Sequence, residues 1–163
     1  MAKPIEDFAR LFGAKLNLEK GLVVKKNDKF FLLSPSLERL ARKCGDWLFA
    51  GTYLGRVENG RFFPSFSLLS MIADQAQNRV VVDDKAAWLF VCGRDIFKEG
   101  ILEVHGSKNK GIYTLVFSRH GECLGFGRIV RDLEKAESGV VIKNILDVGD
   151  FLRRERSTRI SEI

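Results

Sequence analysis

The stretch Arg79-Val80-Val81-Val82-Asp83-Asp84-Lys85-Ala86-Ala87-Trp88-Leu89-Phe90-Val91-Cys92-Gly93 decides how this chain is read. Three valines in a row read as a short strand. Lys85 to Val91, rich in Trp, Leu and Phe, read as a short helix, and Asp83 or Asp84 stands where an N-cap belongs. Four further strand-like runs follow, at Ile101–His105, Ile112–Phe117, Cys123–Val130 and Val140–Ile145. Glycines at 93, 100, 106, 111, 121, 125, 127 and 139 punctuate them. Many short strands separated by glycine turns predict a small barrel. A last helix is expected from Asp147, carrying Phe151-Leu152-Arg153-Arg154-Glu155-Arg156.

Upstream, the polar run Asp74-Gln75-Ala76-Gln77-Asn78-Arg79 marks a boundary, which divides the chain into domains 1–78 and 79–163. In the first, Pro4 to Leu16 read as an amphipathic helix through Ile5, Phe8, Leu11 and Phe12. Leu22-Val23-Val24 and Phe30-Phe31-Leu32-Leu33 form a hairpin about the turn Lys26-Asn27-Asp28-Lys29. A helix from Pro35 to Cys44 is capped by Ser34 and stopped by Gly45, with Leu37, Leu40, Ala41 and Cys44 on one apolar face. Trp47 to Val57 read as a strand, Asn59-Gly60 as a hairpin turn and Arg61-Phe62-Phe63 as the returning strand. Ser67 to Ala76 form a third helix that buries Leu68, Leu69 and Ile72.

At 163 residues, with 45% hydrophobic and 29% charged residues, the chain is globular and long enough to bury a core without disulfide or metal staples. No apolar run approaches the ~18 residues of a membrane helix, and Met1–Arg10 has no signal-peptide character, so a soluble, non-secreted protein is expected. The formal net charge of +6 suggests an anionic partner. Cys44, Cys92 and Cys123 form no CxxC pair and sit among apolar residues, which reads as small hydrophobes in a reducing compartment. With His105 and His120 they show no nucleophile spacing. There is no GxSxG elbow and no GxxxxGK[ST] loop, and Gly121–Arg128 lies between strands rather than opening a helix. No catalytic residue, metal site or cofactor is assigned. The positive signal is basic: Arg153, Arg154, Arg156 and Arg159 fall within seven residues, offering planar forks that match phosphate. A solvated final turn complementing the helix dipole explains the same residues equally well.

Arg79–Asp83 with the helix after it, Cys92–Ile101 and Glu122–Arg128 resemble a PUA domain, the small pseudobarrel of pseudouridine synthases and archaeosine transglycosylases. Lys29–Ser34 through Leu48–Arg56, together with Asp147–Arg153, are similar to the NIP-seven family of large-subunit ribosome-biogenesis factors. The resemblance spans about residues 5–156. It implies an α+β fold, with an N-terminal α/β domain packed on a C-terminal PUA-type β-pseudobarrel. It also implies a monomeric, non-enzymatic factor without cofactor. Such a factor binds uridine-rich single-stranded precursor ribosomal RNA during large-subunit assembly and meets other assembly or RNA-processing proteins. Few glutamines (Gln75 and Gln77) and abundant charge fit a thermophile, so the archaeal form is read. That form is cytoplasmic, where the eukaryotic relatives are nucleolar, and no membrane is involved.

By position, the family's RNA contacts carry over to Arg153 and Arg154, then to Arg156 and Arg159. Lys98, Arg128 and Lys143 extend the same face by analogy with the PUA fold. A different reading makes the chain a protein-interaction adaptor whose RNA affinity is incidental, its 13 phenylalanines feeding an exposed apolar patch on the first domain.

Overall fold

A computed structural model of the chain describes residues 2–18, 22–150 and 153. The chain divides into two compact units, Met1–Gln75 and Ala76–Ile163. Among the described residues, no helix is long and apolar enough to cross a membrane.

The first unit opens with α1 (Lys3–Arg10), which buries Ile5, Phe8 and Ala9. It is shorter than the predicted Pro4–Leu16. Gly13, at φ 70°, ends it. The Gly13 amide bonds to the Arg10 carbonyl and the Ala14 amide to the Ala9 carbonyl, so the last orphan carbonyls are satisfied. Four antiparallel strands follow in chain order: β1 (Val23–Lys26), β2 (Lys29–Leu32), β3 (Thr52–Glu58) and β4 (Arg61–Pro64). Asn59 and Gly60, at φ 50° and 73°, make the tight turn between β3 and β4 that their sequence predicts. Strand β3 begins at Thr52 rather than Trp47, because β2 ends at Leu32, the partner of Thr52, and offers no backbone to the residues before it.

Helix α3 (Phe66–Ala73) is capped by the Ser65 hydroxyl, which accepts from the Leu68 amide, and it buries Leu68, Leu69 and Ile72 as expected. Phenylalanines fill the core: Phe8 lies 5.2 Å from Phe12 and 5.5 Å from Phe62, and Phe30 lies 6.0 Å from Phe62. Such edge-to-face and tilted pairs add to the burial of large rings. Helix α2 (Pro35–Cys44) lies between β2 and β3 in the chain and differs from expectation. Its apolar stripe is not core, since no residue of the helix is buried.

In the second unit, β5 (Arg79–Val82) runs into α4 (Asp84–Val91), whose cap is Asp83, accepting from the Ala86 amide at 2.7 Å. Then come β6 (Ile96–Phe97), a 3-10 turn (Lys98–Gly100), β7 (Ile101–His105), β8 (Tyr113–Ser118), β9 (Cys123–Ile129) and β10 (Val140–Asp147). The six strands form one sheet in the order β6-β10-β9-β8-β5-β7, antiparallel except for the β5–β8 pair. Val80, Val82, Phe90, Ile96, Val116, Ile129, Val141 and Ile142 form its inner core.

The predicted closed pseudobarrel is corrected here to a curled, open half-barrel consistent with a PUA-like domain. Among the described residues, no ladder joins the outer strands β6 and β7. The reason is local: β6 has two residues, too few to sustain a ladder on both sides, and the chain passes from one edge to the other through the 3-10 turn. That turn bonds to both ends of the sheet. The Lys98 amide donates to the Gly139 carbonyl beside β10, and the Asp83 amide, beyond β5, donates to the Gly100 carbonyl.

Gly125 and Gly127 allow β9 to approach β10 closely. A Cβ at Gly125 would lie 2.0 Å from the Leu146 carbonyl oxygen, and one at Gly127 2.6 Å from that of Lys143. Gly125→Ala is expected to cost about 3 kcal/mol in urea unfolding. Gly121→Ala, at φ 85° with nothing within 4 Å, should cost about 1 kcal/mol from backbone strain alone. Equal urea midpoints for the two variants would contradict this account of the β9–β10 approach.

Candidate nucleic-acid interface

Strand register brings two of the sequence-predicted residues together. Lys143 of β10 lies directly opposite Arg128 of β9, and Arg128 lies opposite Tyr113 of β8. The three form a row across the sheet, with the Arg128 guanidinium carbon 5.9 Å from the centre of the Tyr113 ring. Lys143 and Arg128 are exposed. Like charges placed opposite one another on neighbouring strands destabilise a sheet. Here no carboxylate relieves them: among the described residues neither cation makes an ion pair. Arg128 donates through Nε to the Gly111 carbonyl at 3.4 Å, which orients the fork.

The turn that receives this bond is itself pinned. The Gly111 amide donates to the Ile129 carbonyl, the Leu133 amide to the Lys108 carbonyl, and the Lys110 amide to Asp132 Oδ1 at 2.7 Å. The Lys110 bond holds the Asp132 carboxyl below the usual carboxylate range. Its contribution is therefore present above that range and is lost as the pH falls through the lowered value. Lys108 is paired with Glu134 at 3.2 Å, and Lys110 is exposed on the same turn. The row thus sets two cations beside a half-buried ring, Tyr113, which also packs against Phe126 at 6.3 Å.

The other predicted residues are placed differently. Lys98 lies in the 3-10 turn, where its ammonium donates to the Leu133 carbonyl, and it is half-buried. Arg153 is committed to the fold. Its Nη2 donates to both oxygens of Asp147, at 3.0 and 2.9 Å, and its Nη1 donates to the Val91 carbonyl at 2.9 Å. The Asp147 side chain is only 3% exposed, and it also accepts from Asn144 Nδ2 and the Asp150 amide. Residues 148–150 and Arg153 are helical, in line with the expected last helix. Arg154, Arg156 and Arg159 lie outside the described residues.

Tyr113 was missed by sequence reasoning because an aromatic on a strand reads as core filling, and only the register shows it flanking Arg128. Of the cysteines, expected as small buried hydrophobes, Cys44 and Cys92 are exposed. Burial pushes the Cys123 thiol up, against the smaller effect of its bond to the Gly125 carbonyl. Among the described residues, no group of three or more His, Cys, Asp or Glu side chains is placed to hold a metal ion. A groove of about 520 Å³ between α4 and the 3-10 turn has Asp83, Asp95 and Glu99 on its walls. All three carboxylates already accept backbone amides.

Arg153→Ala removes the cation from a buried carboxylate and is expected to destabilise the protein by about 1–3 kcal/mol. Adding Asp147→Asn should recover part of that loss, because the uncompensated charge goes with it. Strict additivity of the two changes in thermal melts would remove Arg153 from this structural role.

The chain matches the UPF0113 PUA domain over residues 78–156. It is 29% identical over 113 residues to a UPF0113 protein of Archaeoglobus fulgidus, which covers 67% of this chain and 64% of that relative. It is 26% identical over 136 residues to the 60S ribosome subunit biogenesis protein NIP7 homolog of Danio rerio, covering 79% of this chain and 76% of that protein. A PUA domain protein from Thermoplasma acidophilum has a similar fold, with a TM-score of 0.62 at 22% identity over 94% of this chain and 93% of the other. Residues 78–156 are therefore similar to the UPF0113 PUA domain, in a chain that is also similar to a NIP7 ribosome-biogenesis homolog.

Proposed function

We propose that this protein is an RNA-binding ribosome-biogenesis factor whose PUA unit holds uridine-rich single-stranded precursor ribosomal RNA during large-subunit assembly. The observation that carries the reading is the Lys143–Arg128 pair, two like charges opposed on adjacent strands with no ion-pair partner among the described residues. The fold gains nothing from that juxtaposition, whereas a phosphate between the two cations would relieve it. Tyr113 beside them supplies a stacking face, and stacking tolerates any base. A preference for uridine follows from the flexibility of poorly stacked strands, which bend to follow a curled sheet at little cost. Arg154, Arg156 and Arg159 extend the contact along the strand, while Arg153 acts by holding the segment to the unit. On this reading the protein is monomeric, carries out no chemistry on the RNA and needs no cofactor. Kinship to the NIP7 homolog supports the assignment to ribosome assembly, and the archaeal, cytoplasmic form remains the version proposed.

The test is binding of labelled oligouridine and oligoadenine of equal length across a salt series. Wild type should favour oligouridine. Arg128→Ala with Lys143→Ala should weaken binding and flatten the salt dependence by ~0.7 in slope for each phosphate that is no longer neutralised. Tyr113→Ala should cost about tenfold at constant slope, the signature of a missing stack. Unchanged affinity and slope in the double variant would refute the site. Feeble binding of wild type to both strands would favour the adaptor.

A further inference from the structure

We propose that the outer face of the first unit's sheet is a second contact for single-stranded RNA, built from residues other than the row at Arg128. The proposal rests on the RNA-binding reading above and adds a site to it. Strand register sets three cations in one line: Lys26 of β1 lies opposite Lys29 of β2, and Lys29 lies opposite Arg56 of β3. Phe63 of β4 continues the line opposite Arg56, with the guanidinium carbon 6.0 Å from the ring centre. Successive side chains of a strand point to opposite faces. Phe30 and Phe62, the neighbours of Lys29 and Phe63, pack with each other, and Phe62 packs with Phe8 of α1. The cations therefore stand on the face turned away from that core.

Like charges directly opposed across strands destabilise a sheet. The fold compensates only the two ends of this line, with Lys26 3.5 Å from Asp46 and Arg56 2.9 Å from Glu58. Lys29, between them, is exposed. Among the described residues it makes no ion pair, although Asp28 precedes it in the turn. The pair of Arg56 with Glu58 is solvated on both sides, and such pairs contribute little, so the guanidinium is free to exchange Glu58 for a phosphate. A phosphate over Lys29 relieves the middle of the line and meets that fork beside it.

Rings flank the cations. Phe31 of β2 is fully buried, with Trp47 at 5.4 Å, Phe49 at 5.1 Å and Tyr53 at 5.7 Å from it. Tyr53, opposite Phe31 in register, lies beside Arg56: burial pushes its phenol up, and the guanidinium works against that rise. Phe49 is 64% exposed yet held, by Phe31 and by Tyr53 at 6.3 Å. A fixed, exposed ring beside a line of cations suits a flexible strand, with phosphates on the cations and a base on the ring. The carboxylates of an acidic peptide would meet the cations but bring no flat face to the ring.

The test uses the full chain, with oligouridine carrying 5-iodouridine for crosslinking and plain oligouridine for salt titrations. Irradiation should crosslink the RNA to a peptide containing Phe49 or Tyr53. Lys29→Ala with Arg56→Ala should weaken binding and flatten the salt slope by ~0.7 for each phosphate no longer neutralised. That loss should persist when Arg128 and Lys143 are already alanine. Lys3→Ala with Arg10→Ala removes the same charge from exposed positions of α1, which packs on the opposite face, and should leave the slope unchanged. Phe49→Leu keeps an apolar cover over Phe31 but removes the ring, and should cost about fivefold at constant slope. A wild-type slope in the Lys29 and Arg56 variant, an equal loss in the α1 variant, or crosslinks confined to the second unit overturns the proposal and leaves the row at Arg128 standing. So does a glutamate-rich peptide that binds this face more tightly than oligouridine, which would make the occupant a protein. A wild-type chain that binds no oligouridine removes the RNA-binding reading itself, and this site with it.

Discussion

The second unit depends on a single covalent constraint: β6 and β7, consecutive in the chain, lie at opposite edges of the sheet. Only the three residues Lys98–Gly100 separate them. A flat six-stranded sheet would place its edges some five strand spacings apart, roughly 24 Å. The four peptide steps from Phe97 to Ile101 span at most about 14 Å. The sheet must therefore curl until its edges nearly meet. The turn then takes hydrogen bonds from both ends, from the Lys98 amide to Gly139 and from the Asp83 amide to Gly100. Closure is covalent rather than by a ladder, which is why the outer strands can stay short and unpaired on one side.

The same turn fixes α4. A Cβ at Gly100 would lie 2.6 Å from the Ala86 Cβ, so a glycine there lets the helix start against the turn. Asp83 then serves twice, its amide bonding to Gly100 and its carboxylate capping the helix at Ala86. At the other end of α4 the Val91 carbonyl, an orphan acceptor at a helix terminus, takes Nη1 of Arg153. Since Arg153 also holds Asp147 at the end of β10, one guanidinium joins the helix, the last strand and the segment that follows. Arg153 is thereby engaged by the fold of the unit on two sides.

What was legible from sequence follows from how local each signal is. The strand at Val80–Val82, a cap at Asp83 or Asp84 and the Asn59-Gly60 turn depend on neighbouring residues, and the structure has the strand at Arg79–Val82, the cap at Asp83 and the turn where it is expected. Strand β6 is two residues long and carries no period, so its role as an edge could not be read, and neither could the open closure that rests on it. For α2, periodicity reports an amphipathic helix but not whether anything covers it. The pairing of Lys143 with Arg128 is set by register, with an irregularity just beyond it between Asn144 and Leu146, and residue spacing does not encode it. The bond from Arg153 to Asp147 is hidden for a different reason: the expected RNA role of Arg153 directs its fork outward, and only the fold shows a buried carboxylate six residues before it.

Net charge proves a poor guide to where an anion would bind. The chain up to Asn78 has 12 basic against 8 acidic residues, and the remainder 15 against 13. By that measure the first unit is the more attractive to RNA. Ion pairs cancel part of that charge in both units. In the second unit Lys108, Arg119, Lys135 and Arg153 are neutralised by Glu134, Asp84, Asp132 and Asp147. Their field is largely cancelled beyond a few ångströms, and at physiological salt the remainder is screened within about 8 Å. Arg128 and Lys143 differ from these four in having no carboxylate partner among the described residues, and they lie opposite one another on neighbouring strands. On the proposed reading a phosphate is placed by that opposition, because it relieves the two cations at once. Specific placement at modest net charge is a property of pairing, and pairing is decided by the register of β9 and β10.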